Sequence, residues 1–222
     1  MKFCTELSLT NVAGMPPDAV LCVAENTPPD LDAAAAEFLA ADELAGFRSM
    51  KAIERRRAEW LLGRITAKEA VCLRAFRTEA KKILPNEFAI GATADGKPFV
   101  GGVKPRVEIS ISHSRGVAAA VAWDAENGPA GIDLEFPRKI SSSLVSETFT
   151  AAELALVGGE QNAIKLWCLK EAAAKATGEG IRFRLQNIAV VSLAELRSDA
   201  GRFACTLLEH RRALIAVARL RR

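Results

Sequence analysis

The chain has 222 residues, half of them apolar and 26% charged, with a formal net charge of +3. Those totals suit a soluble globular protein with a filled core, and the length fits two domains of about 100 residues each. So small a net charge does not by itself call for nucleic acid or a membrane surface, and no apolar run reaches the roughly eighteen residues that a bilayer span needs. The five cysteines (Cys4, Cys22, Cys72, Cys168, Cys205) are scattered, odd in number and never spaced as C-x-x-C, the usage of buried free thiols in a reducing compartment. The first twenty residues carry no charged segment leading into an apolar run, so a cytoplasmic protein is expected.

In chain order, "KFCTELSL" and "AVLCVAEN" read as two short strands separated by a turn at Pro16 and Pro17. "PPDLDAAAAEFLAADELAGF" predicts one helix starting behind Asp30, and "SMKAIERRRAEWLLGRITAKEAVCLRAF" predicts the longest helix, closed before Pro85. "FAIGATADGKPFV" predicts a hairpin turning at Asp95-Gly96. "VEISISHSRGVAAAVAW" predicts two strands about Arg115-Gly116, with Val107, Ile109 and Ile111 on one face and Glu108, Ser110 and Ser112 on the other.

The strand "GIDLEF" comes next. In "FTAAELALV", Thr150 and Glu153 have the spacing of a capping box. "NAIKLWCLKEAAAKATG" is a second strong helix stopped by Gly178, and "NIAVVSL" and "RFACTLLEHRRALIAVARL" predict closing strands. The least regular joint, between Gly101 and Pro105, puts the expected domain boundary at residues 1–104 and 105–222. One echo crosses it: Trp60 to Lys68 and Trp167 to Lys175 each place a lysine eight residues after a tryptophan. A duplicated α+β unit and a chance likeness of two alanine-rich helices both give that pattern.

Four groups of residues carry possible chemistry. Asp133 and Glu135 stand on one face of a strand, where like charges repel. With Glu171 they form a set of hard oxygen donors suited to Mg²⁺ before Zn²⁺; a solvated strand face would read the same way. Ser112 and His113, in "ISISHSRG", could hold a phosphate at a strand end, or simply line a polar turn. Lys170 and Lys175 flank Glu171, and Glu171 with Lys175 has the i,i+4 spacing of an ordinary surface pair. Arg57, Arg64 and Lys68 fall on one helical stripe beside Arg55 and Arg56, either solvated or facing a multiply phosphorylated ligand.

Taken in order, "RRRAEWLLGRITAKEAV", "GKPFV", "ISISHS", "GIDLEF", "FTAAEL" and "WCLKEAAAKATGEGI" resemble the surfactin-synthetase-type 4′-phosphopantetheinyl transferases. The likeness spans roughly Arg55 to Ile181, and "GIDLE" and "WxxKEAxxK" are its most specific blocks. It implies an α+β fold of two similar halves in pseudo-twofold arrangement, with coenzyme A in the cleft between them. The implied enzyme is a holo-acyl-carrier-protein synthase. It moves the phosphopantetheine arm of coenzyme A to a serine of an apo acyl or peptidyl carrier protein, with Mg²⁺, and releases 3′,5′-ADP.

Carried over by position, Asp133, Glu135 and Glu171 bind the metal. Ser112, His113 and Lys175 contact the phosphates of coenzyme A, while Arg57 and Lys97 lie near its nucleotide. Glu171 and Lys175 are the expected catalytic pair, with Glu171 or a metal-bound water that it orients as general base. Arg138, Lys139, Arg182 and Arg184 are candidates for meeting an acidic carrier. The implied protein is a monomer without nucleic-acid or membrane partners. Its alternatives are a non-catalytic homologue that binds coenzyme A or a carrier, and a different Mg²⁺-dependent phosphohydrolase.

Overall fold

The computed structural model describes residues 4–7, 15, 18–178 and 184–221 and separates two units, divided between Asn127 and Gly128. The expected Pro16-Pro17 turn lies outside the described residues.

The first unit contains β1 (Cys4–Leu7), β2 (Val20–Glu25), α1 (Leu31–Phe38), α2 (Ala41–Ser49), α3 (Glu54–Glu79), β3 (Ala89–Ala92), β4 (Pro98–Gly101), β5 (Val107–Ser114) and β6 (Val117–Asp124). β1, β2, β6 and β5 form an antiparallel sheet in that order, and β3 and β4 form a separate hairpin. The helix α3 buries Leu61, Leu62, Ile65 and Val71 against Cys22, Ala24, Ala118 and Ala120 of the sheet. β6 is hydrogen-bonded between β2 and β5, so residues 105–127, expected with the C-terminal half, complete the N-terminal sheet.

The single helix expected behind Asp30 is two. Asp30 caps α1 by accepting the amides of Asp32 and Ala33 at 3.0 and 2.9 Å, but Leu39 and Ala40 are extended. A new helix starts there because Glu43 accepts the Ala40 amide and is itself held from behind by Lys68 at 2.7 Å. Alanine-rich sequence favours a continuous helix; the buried ion pair overrides it.

The second unit contains β7 (Ala130–Glu135), α4 (Ser142–Thr148), α5 (Ala151–Leu156), α6 (Ala163–Thr177), β8 (Ala189–Ser192), β9 (Glu195–Ser198), β10 (Gly201–His210) and β11 (Ala213–Arg221). Its sheet runs β7-β11-β10-β9-β8, antiparallel throughout. The expectation did not separate β9 as a strand. The capping box of Thr150 and Glu153 is present, and α6 stops at Gly178 in the left-handed region, φ 77°, where a side chain would be strained. Helices and antiparallel strands in each unit make the fold α+β.

The two units repeat one plan: strand, two short helices, long helix, short hairpin, long hairpin. The first strand of the plan pairs with the last in each, as β2 with β6 and β7 with β11. A buried junction repeats too. Glu43, third residue of α2, accepts from Lys68 of α3 and from the Ile90 amide of β3. Glu153, third residue of α5, accepts from Lys170 of α6 and from the Val190 amide of β8. Each ammonium also lies over a phenylalanine ring, Phe88 at 4.5 Å and Phe149 at 5.0 Å.

The junctions fix the register of the repeat. Lys68-Glu69-Ala70 corresponds to Lys170-Glu171-Ala172, so the tryptophan-to-lysine echo, which matched Lys68 with Lys175, is out of register. Duplication stands on the topology instead. Counting back from the two-residue turns of the long hairpins, Cys22 pairs with Ala120 as Asp133 pairs with Ala216. Ala24 pairs with Ala118 as Glu135 pairs with Leu214.

Removing one partner of a buried ion pair strands the other charge, a loss of roughly 3–5 kcal/mol. Lys170→Met is therefore expected to destabilise the chain by about 3 kcal/mol in urea unfolding, with Glu153→Gln in the same molecule restoring part of that loss.

Candidate active site

The acidic residues of the second unit sit where β7 passes beneath α6. Alternation along β7 puts Gly131, Asp133 and Glu135 on one face, opposite Ala218, Ala216 and Leu214 of β11. Those β11 residues belong to the core that α6 closes, so the face is the one turned to the helix. Gly131 has no side chain for a steric reason. A methyl group there would overlap the Ala172 carbonyl oxygen and stand 2.6 Å from the Ala176 amide nitrogen. Its absence lets α6 settle onto the strand and brings Glu171 and Lys175 over Asp133.

Asp133 is buried, and its Oδ1 accepts a hydrogen bond from Lys175 Nζ at 2.7 Å. Glu135 is half-buried and receives Arg138 at 3.3 Å. Burial pushes the Glu171 carboxyl above its ordinary value, and the charges of Asp133 and Glu135 push the same way against the opposing ammonium of Lys175. A carboxyl raised by two neighbouring carboxylates has places for a proton, a metal ion or a cationic side chain. The i,i+4 surface pair of Glu171 with Lys175 is replaced by the bond from Lys175 to Asp133.

Among the described residues, no group of three or more His, Cys, Asp or Glu side chains stands arranged around a metal position. The donor set nonetheless has the chemistry for Mg²⁺, which takes carboxylate oxygen and keeps several waters. Asp133 and Glu135 are near enough for their charges to raise the Glu171 carboxyl.

Of the residues expected to contact coenzyme A, Ser112, His113, Arg57 and Lys97 belong to the first unit. Ser112 is buried and His113 exposed. As neighbours on β5 they point to opposite faces, and His113 packs toward α3 at Gly63. Ser110 is buried as well, so the face that these two serines share is covered there. Lys97 pairs with Glu108 at 2.8 Å. Arg57 stacks on Phe47 at 4.6 Å, and its guanidinium reaches Asp32 at 3.5 Å. It edges a cavity of about 390 Å³ that Asp30, Asp32 and Glu54 also line.

The basic stripe on α3 points inward. Arg64 donates to the Ile90 carbonyl at 2.7 Å and lies over Trp60, and Lys68 is fully buried on Glu43. Burial lowers the pKa of both. For Arg64 and Lys68 the phosphate-docking and solvated readings are both replaced by a core role, while Arg57 stays at the edge of the surface cavity.

Arg138 and Lys139 are exposed just past β7, and Arg184 is exposed before β8; Arg182 lies outside the described residues. All five cysteines are free, and only Cys72 is not fully buried. No described helix is long and apolar enough to cross a membrane. Sequence reasoning missed Gly131 as the spacer between strand and helix, although a glycine two residues ahead of a strand carboxylate was a usable signal. It also missed the Lys170–Glu153 junction, whose partners are 17 residues apart and have no short-range signature.

Residues 129–218 match the family model of the 4′-phosphopantetheinyl transferase superfamily, a stretch that takes in β7, α6, Asp133, Glu135 and Glu171. The chain is 34% identical over 134 residues to the 4′-phosphopantetheinyl transferase psf-1 of Bacillus pumilus, covering 57% of this chain and 54% of that protein. It is 32% identical over 107 residues to a putative 4′-phosphopantetheinyl transferase of Haemophilus influenzae, covering 45% and 44%. The matches thus span about half the length of these relatives.

Among solved structures, the holo-[acyl-carrier-protein] synthase of Neisseria meningitidis overlaps with a TM-score of 0.34 at 23% identity, over 40% of this chain and 78% of that one. The holo-ACP-synthase of Plasmodium yoelii gives 0.31 at 22%, over 40% and 73%.

Gly131→Ala should test the packing of strand against helix. Overfilling so tight a contact costs about 2–3 kcal/mol, read as a lower urea midpoint at unchanged slope.

Proposed function

We propose that the chain is a surfactin-synthetase-type 4′-phosphopantetheinyl transferase. It would transfer the phosphopantetheine arm of coenzyme A to a serine of an apo acyl or peptidyl carrier protein, depend on Mg²⁺ and release 3′,5′-ADP. The observation that carries the reading is the condensation of three carboxylates and one ammonium where β7 meets α6, with the Glu171 carboxyl raised by burial and by the charges of Asp133 and Glu135. Like charges gathered this closely call for a cation, and a diphosphate substrate has use for one.

Asp133, Glu135 and Glu171 would hold Mg²⁺, which supplies charge neutralisation for the substrate diphosphate when bound. Lys175 is already within the site and would turn its ammonium to a phosphoryl oxygen, stabilising charge that grows there during transfer. The serine oxygen bonds to the β-phosphorus as the bond from that phosphorus to the bridging oxygen breaks, and 3′,5′-ADP leaves. The serine proton passes to Glu171, directly or through a water that Glu171 orients.

Ser112, His113, Arg57 and Lys97 would contact coenzyme A by resemblance to the family. Arg57 and Lys97 would exchange a present carboxylate partner for phosphate. The free, mostly buried thiols support a cytoplasmic enzyme, and the presence of both repeats in one chain supports a monomer. The family model and the transferase relatives support the reaction over a phosphohydrolase. Retention of all three carboxylates supports it over a non-catalytic binding protein.

The direct test is incubation with coenzyme A, Mg²⁺ and several apo carrier proteins, followed by intact-mass measurement. The carrier should gain the phosphopantetheine mass with matching 3′,5′-ADP; no gain with any carrier leaves binding without turnover. Glu171→Gln should abolish transfer in a folded protein.

A carboxyl raised on folding costs stability once it ionises, fully above its folded pKa and not at all below its unfolded one. Without Mg²⁺, Glu171→Gln should therefore melt higher than wild type at pH 8, and adding Mg²⁺ should stabilise the wild type more than the variant.

A further inference from the structure

The sheet of the second unit has a face turned away from α6, and at one end of it arginines lie directly opposite one another. Arg202 of β10 pairs across the ladder with Arg221 of β11 on one side and with Arg197 of β9 on the other. The alternate residues Leu196, Phe203 and Leu220 fill the core on the α6 side, which puts the three arginines on the outer face, where all are exposed. Arg219, two residues before Arg221, shares that face. Within the row one carboxylate is engaged: Glu195, which accepts from Arg197 Nε at 2.8 Å. That bond, with the charges of Arg197, Arg202 and Arg221, holds the Glu195 carboxyl below the usual range. Among the described residues, Arg202 and Arg221 form no ion pair.

Like charges directly opposite on adjacent strands destabilise a sheet. Here the arrangement spans three strands. The row also has a definite pitch. Strands lie about 4.8 Å apart, so the guanidinium stems of β9, β10 and β11 are spaced over about 10 Å in a line across the strands. Residues i, i+3 or i+4, and i+7 of an α-helix fall on one face and cover the same distance, since seven residues rise about 10.5 Å. A helix with acids at those positions, laid across the strands, would bring one carboxylate to each arginine. Arginine's planar fork suits carboxylates in that arrangement better than a compact ammonium would.

We propose that the row Arg197–Arg202–Arg221 is a docking surface for an acidic α-helix of a partner protein. This goes beyond the transferase reading and does not require it. The line of matched pitch favours a helix over a membrane surface, which would ask for a broad cationic patch with apolar residues to insert. It also favours a helix over single-stranded nucleic acid, whose bases would stack on aromatic side chains, since no described Phe or Trp stands on this face.

The test uses the full chain and a stapled helical peptide with glutamates at i, i+3 and i+7, compared with the same peptide carrying glutamines. The glutamate peptide should bind at low salt, weaken as ionic strength rises, and lose at least about tenfold in affinity against Arg202→Glu, since three weak surface pairs would be disrupted together. Arg202→Glu sets an acid between two arginines, so it should also raise the melting temperature. A gain in stability alongside lost binding identifies a surface kept for a partner.

Equal affinity of the variant and the wild type for the peptide overturns the proposal, as does a wild type that ignores the glutamate peptide. Tighter, Arg202-dependent binding to phosphatidylglycerol vesicles or to a DNA oligonucleotide overturns it in favour of those ligands. Carrier modification in the transferase assay is a separate measurement, so either reading can fail alone.

Discussion

The fold of each unit depends on one buried contact, a lysine on the long helix donating to a glutamate that starts a short one. In the second unit Glu153 accepts the amides of Thr150 and Val190 and the ammonium of Lys170. Burial alone would raise that carboxyl, and these donors together hold it below the usual range. One side chain thus joins the start of α5, the strand β8 and the middle of α6. Its energetic weight lies less in the net value of the ion pair than in the penalty for leaving either charge buried alone. It also sets the rotation of α6. With Lys170 turned to the interior, the next residue along, Glu171, lies about 100° further round the helix, on the side that meets β7.

The first unit shows the same frame without the acidic site. At the positions of Asp133 and Glu135 it has Cys22 and Ala24, both buried in its core, while Glu69 stands where the second unit has Glu171. Burial, with a further push from Glu69, raises the Cys22 thiol to about 12, so the position carries no charge at neutral pH. The difference between a packed interface and the charged site is therefore two carboxylates on the strand and Lys175 on the helix, where the first unit has Cys22, Ala24 and Leu73. The repeat separates what the architecture needs, the lysine–glutamate junction, from what chemistry would need, the extra carboxylates.

Much of this was legible in the residues. Period-two and period-3.6 patterns located most strands and helices, and Thr150 with Glu153 announced its cap. "GIDLE" marked two carboxylates on one face, as the ladder with β11 bears out. What failed did so for a common reason: periodicity says which residues share a face and is silent on which way that face turns. Arg57, Arg64 and Lys68 do share a stripe, yet at Arg64 and Lys68 it enters the core because the Ile90 carbonyl and Glu43 wait there. The break at Leu39 and Ala40 has no proline or glycine to signal it. Its cause is a lysine 28 residues away. The arginine row needs the pairing register of three strands, which no local window contains.

The paired design leaves the two halves under different constraints. At Asp133 every exchange loses either the charge or the reach of the side chain, whereas at Cys22 a substitution need only fill the same volume without bringing polarity. The amino-terminal copy can therefore drift in sequence while keeping its outline, and the carboxyl-terminal copy cannot. A chain built this way would lose the visible trace of its own doubling first in the half without the acids, even while both halves still trace the same path.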